Sequence, residues 1–282
     1  MNRKIQSLVV LLLCTVILFC GCEVREPVST EEKILTVHML DVEDAECLFV
    51  QLPDGKTLLI DSGESWHADE IISYINSLGV SEIDTVLATH PHSDHIGGLP
   101  QIISTFEIGR IYLPDAVHTT KNYEQLLDLL ETRNIPTYQA KAGVVMYDGA
   151  YTAKFLAPCS ETYSNLNNYS AILKLEYKEK SFLFTGDAEK LVEKEVLKFY
   201  AEDLDCDVLK VCHHGAETSS SLEFLQAVSP EIALISAGGD QGKYENPDAE
   251  VIGRLQELGV KIYRTDLHGN LVIKTDGLNW RK

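Results

Sequence analysis

The chain has 282 residues and a mass of 31.4 kDa, enough for one large domain or two small ones. Hydrophobic residues make up 45% and charged residues 24%, with 18 glycines and 9 prolines, which excludes a disordered, collagen-like or multi-span membrane chain. Acidic residues outnumber basic ones by 43 to 24, giving −19, so any activity on a phosphoester or nucleic acid needs a local cationic device such as a metal centre.

At the N-terminus, Arg3-Lys4 precede an uncharged run from Leu8 to Cys20 and then Gly21-Cys22. A positive start followed by an apolar stretch shorter than the roughly 20 residues of a bilayer crossing reads as a secretory signal. Phe19-Cys20-Gly21-Cys22 resembles a bacterial lipoprotein signal, with Phe19 where Leu is usual. The resemblance implies that residues 1–21 are removed and that Cys22 carries a lipid, which holds the protein on the cell membrane facing outside the cytoplasm. A plain cleaved signal or an uncleaved anchor leads to the same side. Residues 22–33 are polar and include Pro27, which predicts a tether. Without residues 1–21 the charge becomes −21 over 261 residues.

From residue 34 to residue 282 strands and helices alternate without a linker, so one domain is expected. The spacing predicts strands over Ile34–Leu40, Cys47–Gln51 and Thr57–Ile60, then a helix over Ala68–Leu78 that stops at Gly79. Ile83–Ala88 reads as a buried strand leading into His90. A helix over Tyr123–Leu130 precedes strands over Tyr151–Leu156, Ala171–Tyr177 and Ser181–Phe184. Next come helix Lys190–Phe199, strand Val208–Cys212, helix Leu222–Val228 and strand Ile232–Ile235. Helix Ala249–Leu258 and strands Lys261–Tyr263 and Leu271–Lys274 close the chain. Two β-rich halves, each followed by helices, predict two packed sheets with helices on both outer faces. Of the seven cysteines, Cys14 and Cys20 leave with the signal and Cys22 is the lipid site. Cys47, Cys206 and Cys212 sit in apolar runs and read as core residues; with Cys159 they form no CxxC pair.

The chemistry concentrates in Thr89-His90-Pro91-His92-Ser93-Asp94-His95-Ile96-Gly97-Gly98, just past a strand. Three imidazoles and a carboxylate within six residues suit a divalent ion such as zinc without any thiolate. A loop can turn His90 and His92 toward one point and Asp94 with His95 toward another.

This segment resembles the H-x-H-x-D-H motif of metallo-β-lactamase-fold hydrolases, and other segments agree in order. Leu59-Ile60-Asp61-Ser62-Gly63 resembles the strand whose Asp buttresses the metal loop. Phe184-Thr185-Gly186-Asp187 resembles the strand whose Asp bridges two metals, and Val211-Cys212-His213-His214-Gly215 the late histidine motif. The resemblance implies a four-layer αββα sandwich, an α/β fold. Leu40-Asp41-Val42, Leu52-Pro53-Asp54-Gly55, Thr185-Gly186-Asp187-Ala188-Glu189 and Tyr263-Arg264-Thr265-Asp266-xx-His268-Gly269 narrow it to the C-terminal hydrolase domain of ComEC-like DNA-uptake competence proteins. Phosphorylcholine esterases share much of the pattern. The channel-forming helices of the competence proteins are not seen here, so a complete DNA transporter is not expected.

Three departures bear on the site. Glu43-Asp44-Ala45-Glu46-Cys47 stands where the competence type has Gly-Gln-Gly-Asp-Ala. No His lies between His118 and His213, where β-lactamases and glyoxalase-type members carry one; the corresponding region is Asn165-Leu166-Asn167-Asn168-Tyr169-Ser170. Tyr244-Glu245-Asn246-Pro247 lacks the His often found before that Pro.

Carried over by resemblance, His90, His92 and Asp187 hold a first ion, and Asp94, His95, Asp187 and His214 a second. The ions are expected to be two zinc ions, with manganese as the alternative. Asp61 orients a metal-binding His from behind. The spacing alone does not separate His213 from His214; the resemblance makes His214 the ligand and turns His213 to the substrate. Asp94, His213 and His268 are the catalytic candidates, His268 as proton donor or phosphate contact. His38, His67 and His118 have no partner pattern and read as structural or exposed. The acidic groups Glu189, Glu193, Glu195, Asp248, Glu250 and Glu257 read as solvated helix faces. The expected function is metal-activated hydrolysis of a phosphodiester, in a phosphoester-type small molecule or single-stranded DNA, with the membrane reached through Cys22 and no protein partner evident. A competence nuclease, a β-lactam or lactone hydrolase and a non-catalytic zinc-binding surface module stay open as alternatives.

Overall fold

Leu48 and Val50 point to one side of their strand and Phe49 to the other; Leu58 and Ile60 alternate in the same way with Leu59. Both faces of these strands are therefore apolar, and a sheet apolar on both faces must be covered on both. The computed structural model, which describes residues 33–239, 242 and 245–281, satisfies this with four layers. Residues 1–32, among them the expected signal and Cys22, lie outside the described residues, as does Tyr244.

The first sheet runs in the order β17 (Trp280–Arg281), β16 (Leu271–Thr275), β1 (Leu35–Met39), β2 (Leu48–Gln51), β3 (Thr57–Ile60), β5 (Thr85–Leu87), β7 (Ile111–Leu113) and β8 (Thr137–Gln139). The second runs β15 (Lys261–Arg264), β14 (Ile232–Ile235), β13 (Val208–Lys210), β12 (Lys180–Phe184), β11 (Ile172–Tyr177), β10 (Thr152–Ala157) and β9 (Val145–Tyr147). A small parallel pair joins β4 (Glu82–Ile83) to β6 (Glu107–Ile108). From β3 through β8, and from β12 through β15, neighbours are parallel; the other pairs in the two large sheets are antiparallel. Between the sheets lies one core, with Val37, Val50, Ile60, Phe155, Leu173, Phe182 and Phe184. Helices α1 (Ala68–Ser77), α3 (Leu99–Thr105) and α4 (Lys121–Thr132) bury Ile71, Ile102 and Leu126 on the outer face of the first sheet. Helices α5 (Lys190–Tyr200), α6 (Leu222–Val228) and α7 (Ala249–Glu257) bury Val192, Phe224 and Leu255 on the second. Short helices α2 (Ser93–Ile96) and α8 (Thr265–His268) sit in connections.

The αββα layering matches the expectation, but the halves are not strictly sequential. After β15 completes the second sheet, β16 crosses back to pair with β1, Leu35 opposite Thr275, so the two ends of the described chain share one sheet. Cys47, Cys206 and Cys212 are buried and Cys159 is partly so, all four as free thiols. Glu193 departs from its expected solvated face. It is fully buried, and its carboxylate accepts the backbone N–H of Ser220 and of Ser221, the latter at 2.9 Å, where the chain enters α6.

Candidate metal centre

The chemistry-bearing residues sit just past the C-terminal ends of parallel strands in both sheets: Asp61 after β3, His90 after β5, Asp187 after β12, His213 and His214 after β13, Ser236 after β14. At these ends the chain leaves the ladder, and its side chains can turn into the crevice between the sheets. The turning is visible in the backbone. Asp61, Gly186, His213 and His214 all have φ between 48° and 57°, a left-handed conformation unfavourable for non-glycine residues and held only by surrounding contacts. Glycine is required at 186 for a second reason: a Cβ there would lie 2.9 Å from Thr89 Cβ and Oγ1.

Asp61 anchors the first-sheet side. Its Oδ1 accepts the Thr89 backbone N–H at 2.8 Å, and its Oδ2 accepts the Thr89 hydroxyl and His95 Nδ1–H, both at 2.6 Å. With Nδ1 so engaged, His95 presents Nε2 to the crevice. His214 is held likewise, Nδ1 lying 2.9 Å from Ser236 Oγ and Nε2 facing inward.

Asp187 is the meeting point. Its Oδ1 lies 3.3 Å from His95 Nε2 and 3.3 Å from His214 Nε2, which are themselves 3.4 Å apart. Its Oδ2 lies 3.8 Å from His90 Nε2 and 3.6 Å from His213 Nε2, and His90 Nε2 is 2.9 Å from His92 Nδ1. Asp94 Oδ2 stands 3.9 Å from His95 Nε2 on the solvent side. Asp187 Oδ1 is buried and makes no hydrogen bond. Imidazole nitrogens converging on one another and on an orphaned carboxylate oxygen are satisfied by a shared cation, and the all-nitrogen-and-oxygen donor set fits a divalent one. Ligand atoms of Glu46, His95, Asp187 and His214, all buried, lie within 4.8 Å of one another, near enough to share one ion.

The protonation states follow from burial and neighbours. Burial pushes the His95 imidazolium down, but Asp187, Asp61 and Asp94 together hold its pKa well above the usual histidine value. Burial, and then His95, drive His90 well below that value, and burial lowers His92 and His213. Burial opposes ionisation of Asp187, yet His95 and His214 hold its pKa well below the carboxylate range.

Of the residues singled out in the sequence, His90, His95, Asp187 and His214 meet in the buried cluster, with His92 and Asp94 half-buried at its mouth and Asp61 behind His95. His213 lines the cleft, between Thr218 Oγ1 at 3.1 Å from Nδ1 and Asn167 Nδ2 at 3.3 Å from Nε2. His268 is not brought to this cleft. It is exposed, its Nδ1 lies 2.8 Å from the Arg264 carbonyl, and it lines a separate groove with Tyr263 and Trp280. Cys22 lies outside the described residues. Two residues near the cluster were passed over, Glu46 and Lys210, paired beneath it; His118, read as structural or exposed, has its ring 6.1 Å from that of His92. The cleft above the cluster, about 670 Å³, is lined by Asp94, Glu217, Glu245 and Asp248 and by no lysine or arginine among the described residues.

A divalent ion binding His95 Nε2 must displace the proton that its acidic neighbours favour. We predict that metal binding releases about one proton near pH 7 and that affinity rises by roughly tenfold per pH unit while His95 remains protonated in the metal-free form. In the metal-free fold the raised His95 pKa stabilises below the ordinary histidine range, and that contribution fades as pH climbs through the raised value; the lowered Asp187 pKa stabilises above the ordinary aspartate range and fades in acid. Calorimetry in buffers of different ionisation enthalpy counts the protons. Binding with no proton release and a flat pH profile would contradict this assignment.

Comparison with known proteins agrees with the geometry. Residues 40–239 match the metallo-beta-lactamase superfamily. ComE operon protein 3 of Bacillus subtilis (strain 168) is 28% identical over 252 residues, covering 83% of this chain and 32% of that protein. Competence protein ComA of Neisseria gonorrhoeae is 30% identical over 257 residues, covering 91% of this chain and 34% of that protein. The chain thus spans about a third of the length of these two relatives. Among solved structures, the metallo-beta-lactamase fold protein YhfI from Bacillus subtilis is 14% identical, with a TM-score of 0.57 over 86% of this chain and 100% of that one, a likeness of fold alone. The chain belongs to the metallo-beta-lactamase superfamily.

Proposed function

We propose that this metal-dependent hydrolase works with a two-ion centre on phosphodiester bonds of small substrates, outside the cytoplasm and held to the membrane by a lipid on Cys22. The observation that carries the two-ion reading is the division of Asp187, whose Oδ1 faces His95 and His214 while its Oδ2 faces His90 and His213. His90, His92 and Asp187 would hold the first ion; Asp94, His95, Asp187 and His214 the second. Zinc suits these donors best, and manganese is compatible with them.

When bound, such a centre acidifies water toward neutrality and offsets charge developing on a phosphoryl group. The chain's own residues do the rest. Asp61 and Ser236 fix the ring orientations of His95 and His214, so the donor atoms are set before substrate arrives. Asp94, half-open to the cleft, orients the attacking water. His213, with its pKa lowered by burial, offers Nε2, which accepts from Asn167 Nδ2, to take a proton from the cleft and return it to the leaving group. Asn167 Nδ2 lies beside that nitrogen and offers a hydrogen bond to a substrate oxygen.

The acidic lining of the cleft supports a small diester over a polymer, since Glu217, Glu245 and Asp248 repel a run of phosphates while a single one is drawn to the metal centre. The similarity to competence proteins favours a second reading, a nuclease that acts on single-stranded DNA during uptake. Zinc-loaded protein should hydrolyse bis-nitrophenyl phosphate and leave nitrocefin intact, and His92→Ala should reduce turnover by at least about 100-fold with the fold retained. Efficient nitrocefin hydrolysis with inert diesters would overturn the proposal; strong DNA cleavage at low salt would put the nuclease reading first.

For the location, no helix among the described residues is long and apolar enough to cross a membrane, and one acylated cysteine is the anchor proposed. Radiolabelled fatty acid should enter the wild type and be lost from Cys22→Ser. Equal labelling of the two would refute the lipid assignment.

A further inference from the structure

Strand alternation turns Lys210, like Val208 two residues before it, into the space between the sheets, while Leu209 packs under the outer helices. A lysine in that core position needs a partner, and its partner is Glu46. Both side chains are completely buried, and Lys210 Nζ contacts Glu46 Oε2 directly. Burial pushes the Lys210 ammonium down, but Glu46 and Asp187 beside it hold its pKa above the ordinary lysine value.

The two residues are tied to opposite halves of the metal centre. The Glu46 backbone N–H donates to the Asp94 carbonyl at 3.0 Å, and its own carbonyl accepts the Gly63 N–H at 2.8 Å, so Glu46 bridges the histidine loop and the turn after Asp61. Lys210 Nζ donates to the Gly186 carbonyl at 3.2 Å, one residue before Asp187, and the Thr185 hydroxyl donates to the Lys210 carbonyl at 2.7 Å. The same strand then runs into His213 and His214. A buried ion pair is a poor source of net stability, because an apolar pair of similar volume often does as well or better. Its links to both ligand loops point elsewhere.

We propose that Glu46 and Lys210 are positioning residues that clamp the two sheets in the register at which Asp94 and His95 meet Asp187 and His214. This rests on the metal-centre reading above. Removing either partner alone leaves a buried charge unpaired, whereas replacing both by neutral groups removes the clamp without that penalty.

The test titrates metal-free full chain with Co²⁺, whose visible bands report ligand number and geometry, alongside urea unfolding. Wild type should bind two equivalents. Glu46→Gln and Lys210→Met should each weaken binding by about tenfold or more and shift the bands, as loss of an outer support does elsewhere. The double variant Glu46→Gln/Lys210→Met should regain the stability lost in the single variants yet keep the weak binding and shifted bands. Wild-type affinity and spectrum in the double variant would overturn the proposal. So would weak binding in Glu46→Gln with normal binding in Lys210→Met, which would make Glu46 a ligand. Failure of the wild type to bind Co²⁺ would instead defeat the metal-centre reading itself, and the clamp with it.

Discussion

One carboxylate, that of Asp187, faces histidines contributed by both sheets. His90 and His95 come from a loop of the first sheet, His213 and His214 from the end of β13 in the second, and each oxygen of Asp187 lies within 4 Å of one histidine from either sheet. The cluster therefore exists only when the two sheets pack in one register. The inter-sheet core fixes that register in bulk through Phe155, Phe182 and Phe184 against Val37, Val50 and Ile60. Apolar contacts are non-directional, however, and they tolerate small slides that a metal site does not. The directional contacts lie nearer the centre: the Asp61 hydrogen bonds to Thr89 and His95, the approach of Gly186 to Thr89, and the Glu46–Lys210 pair.

Electrostatics would let so acidic a chain hold a site for the anionic group proposed as its substrate. The net charge of −19 and the acidic cleft lining set a repulsive long-range field, while the short-range field at Asp187 is governed by four histidines and whatever cation they share. A small substrate meets mostly the second field. A polymer carrying many phosphates meets both, and salt screens the first over roughly 10 Å.

Much of this site is legible in the sequence because its densest part is local. His90, His92, Asp94 and His95 fall within one loop, and no tertiary information is needed to see that they can share ions. Asp187 and His214 are distant in sequence and are found only through resemblance to a family. The layers of the fold were legible from two β-rich halves, each followed by helices, but β7, β8 and β9, of three residues each, are too short to show an alternation. Lys210 and Glu46 were hidden for a different reason. Lysine and glutamate are ordinarily solvated, the run Glu43-Asp44-Ala45-Glu46 stands out in sequence only as a departure from the competence pattern, and the contact across the sheets reveals that both residues are buried. His268 erred the other way: a motif placed it near the chemistry, but its ring turns to the Arg264 carbonyl on an exposed edge.

The central claim is that Asp187 divides two ions between its oxygens. The most direct measurement is an anomalous difference map from crystals of the zinc-loaded protein, recorded at the zinc absorption edge. The account predicts two peaks flanking Asp187, one about 2 Å from His90 Nε2 and His92 Nδ1, the other about 2 Å from the Nε2 atoms of His95 and His214. A single peak held by Glu46, His95, Asp187 and His214, with none beside His90 and His92, would contradict it.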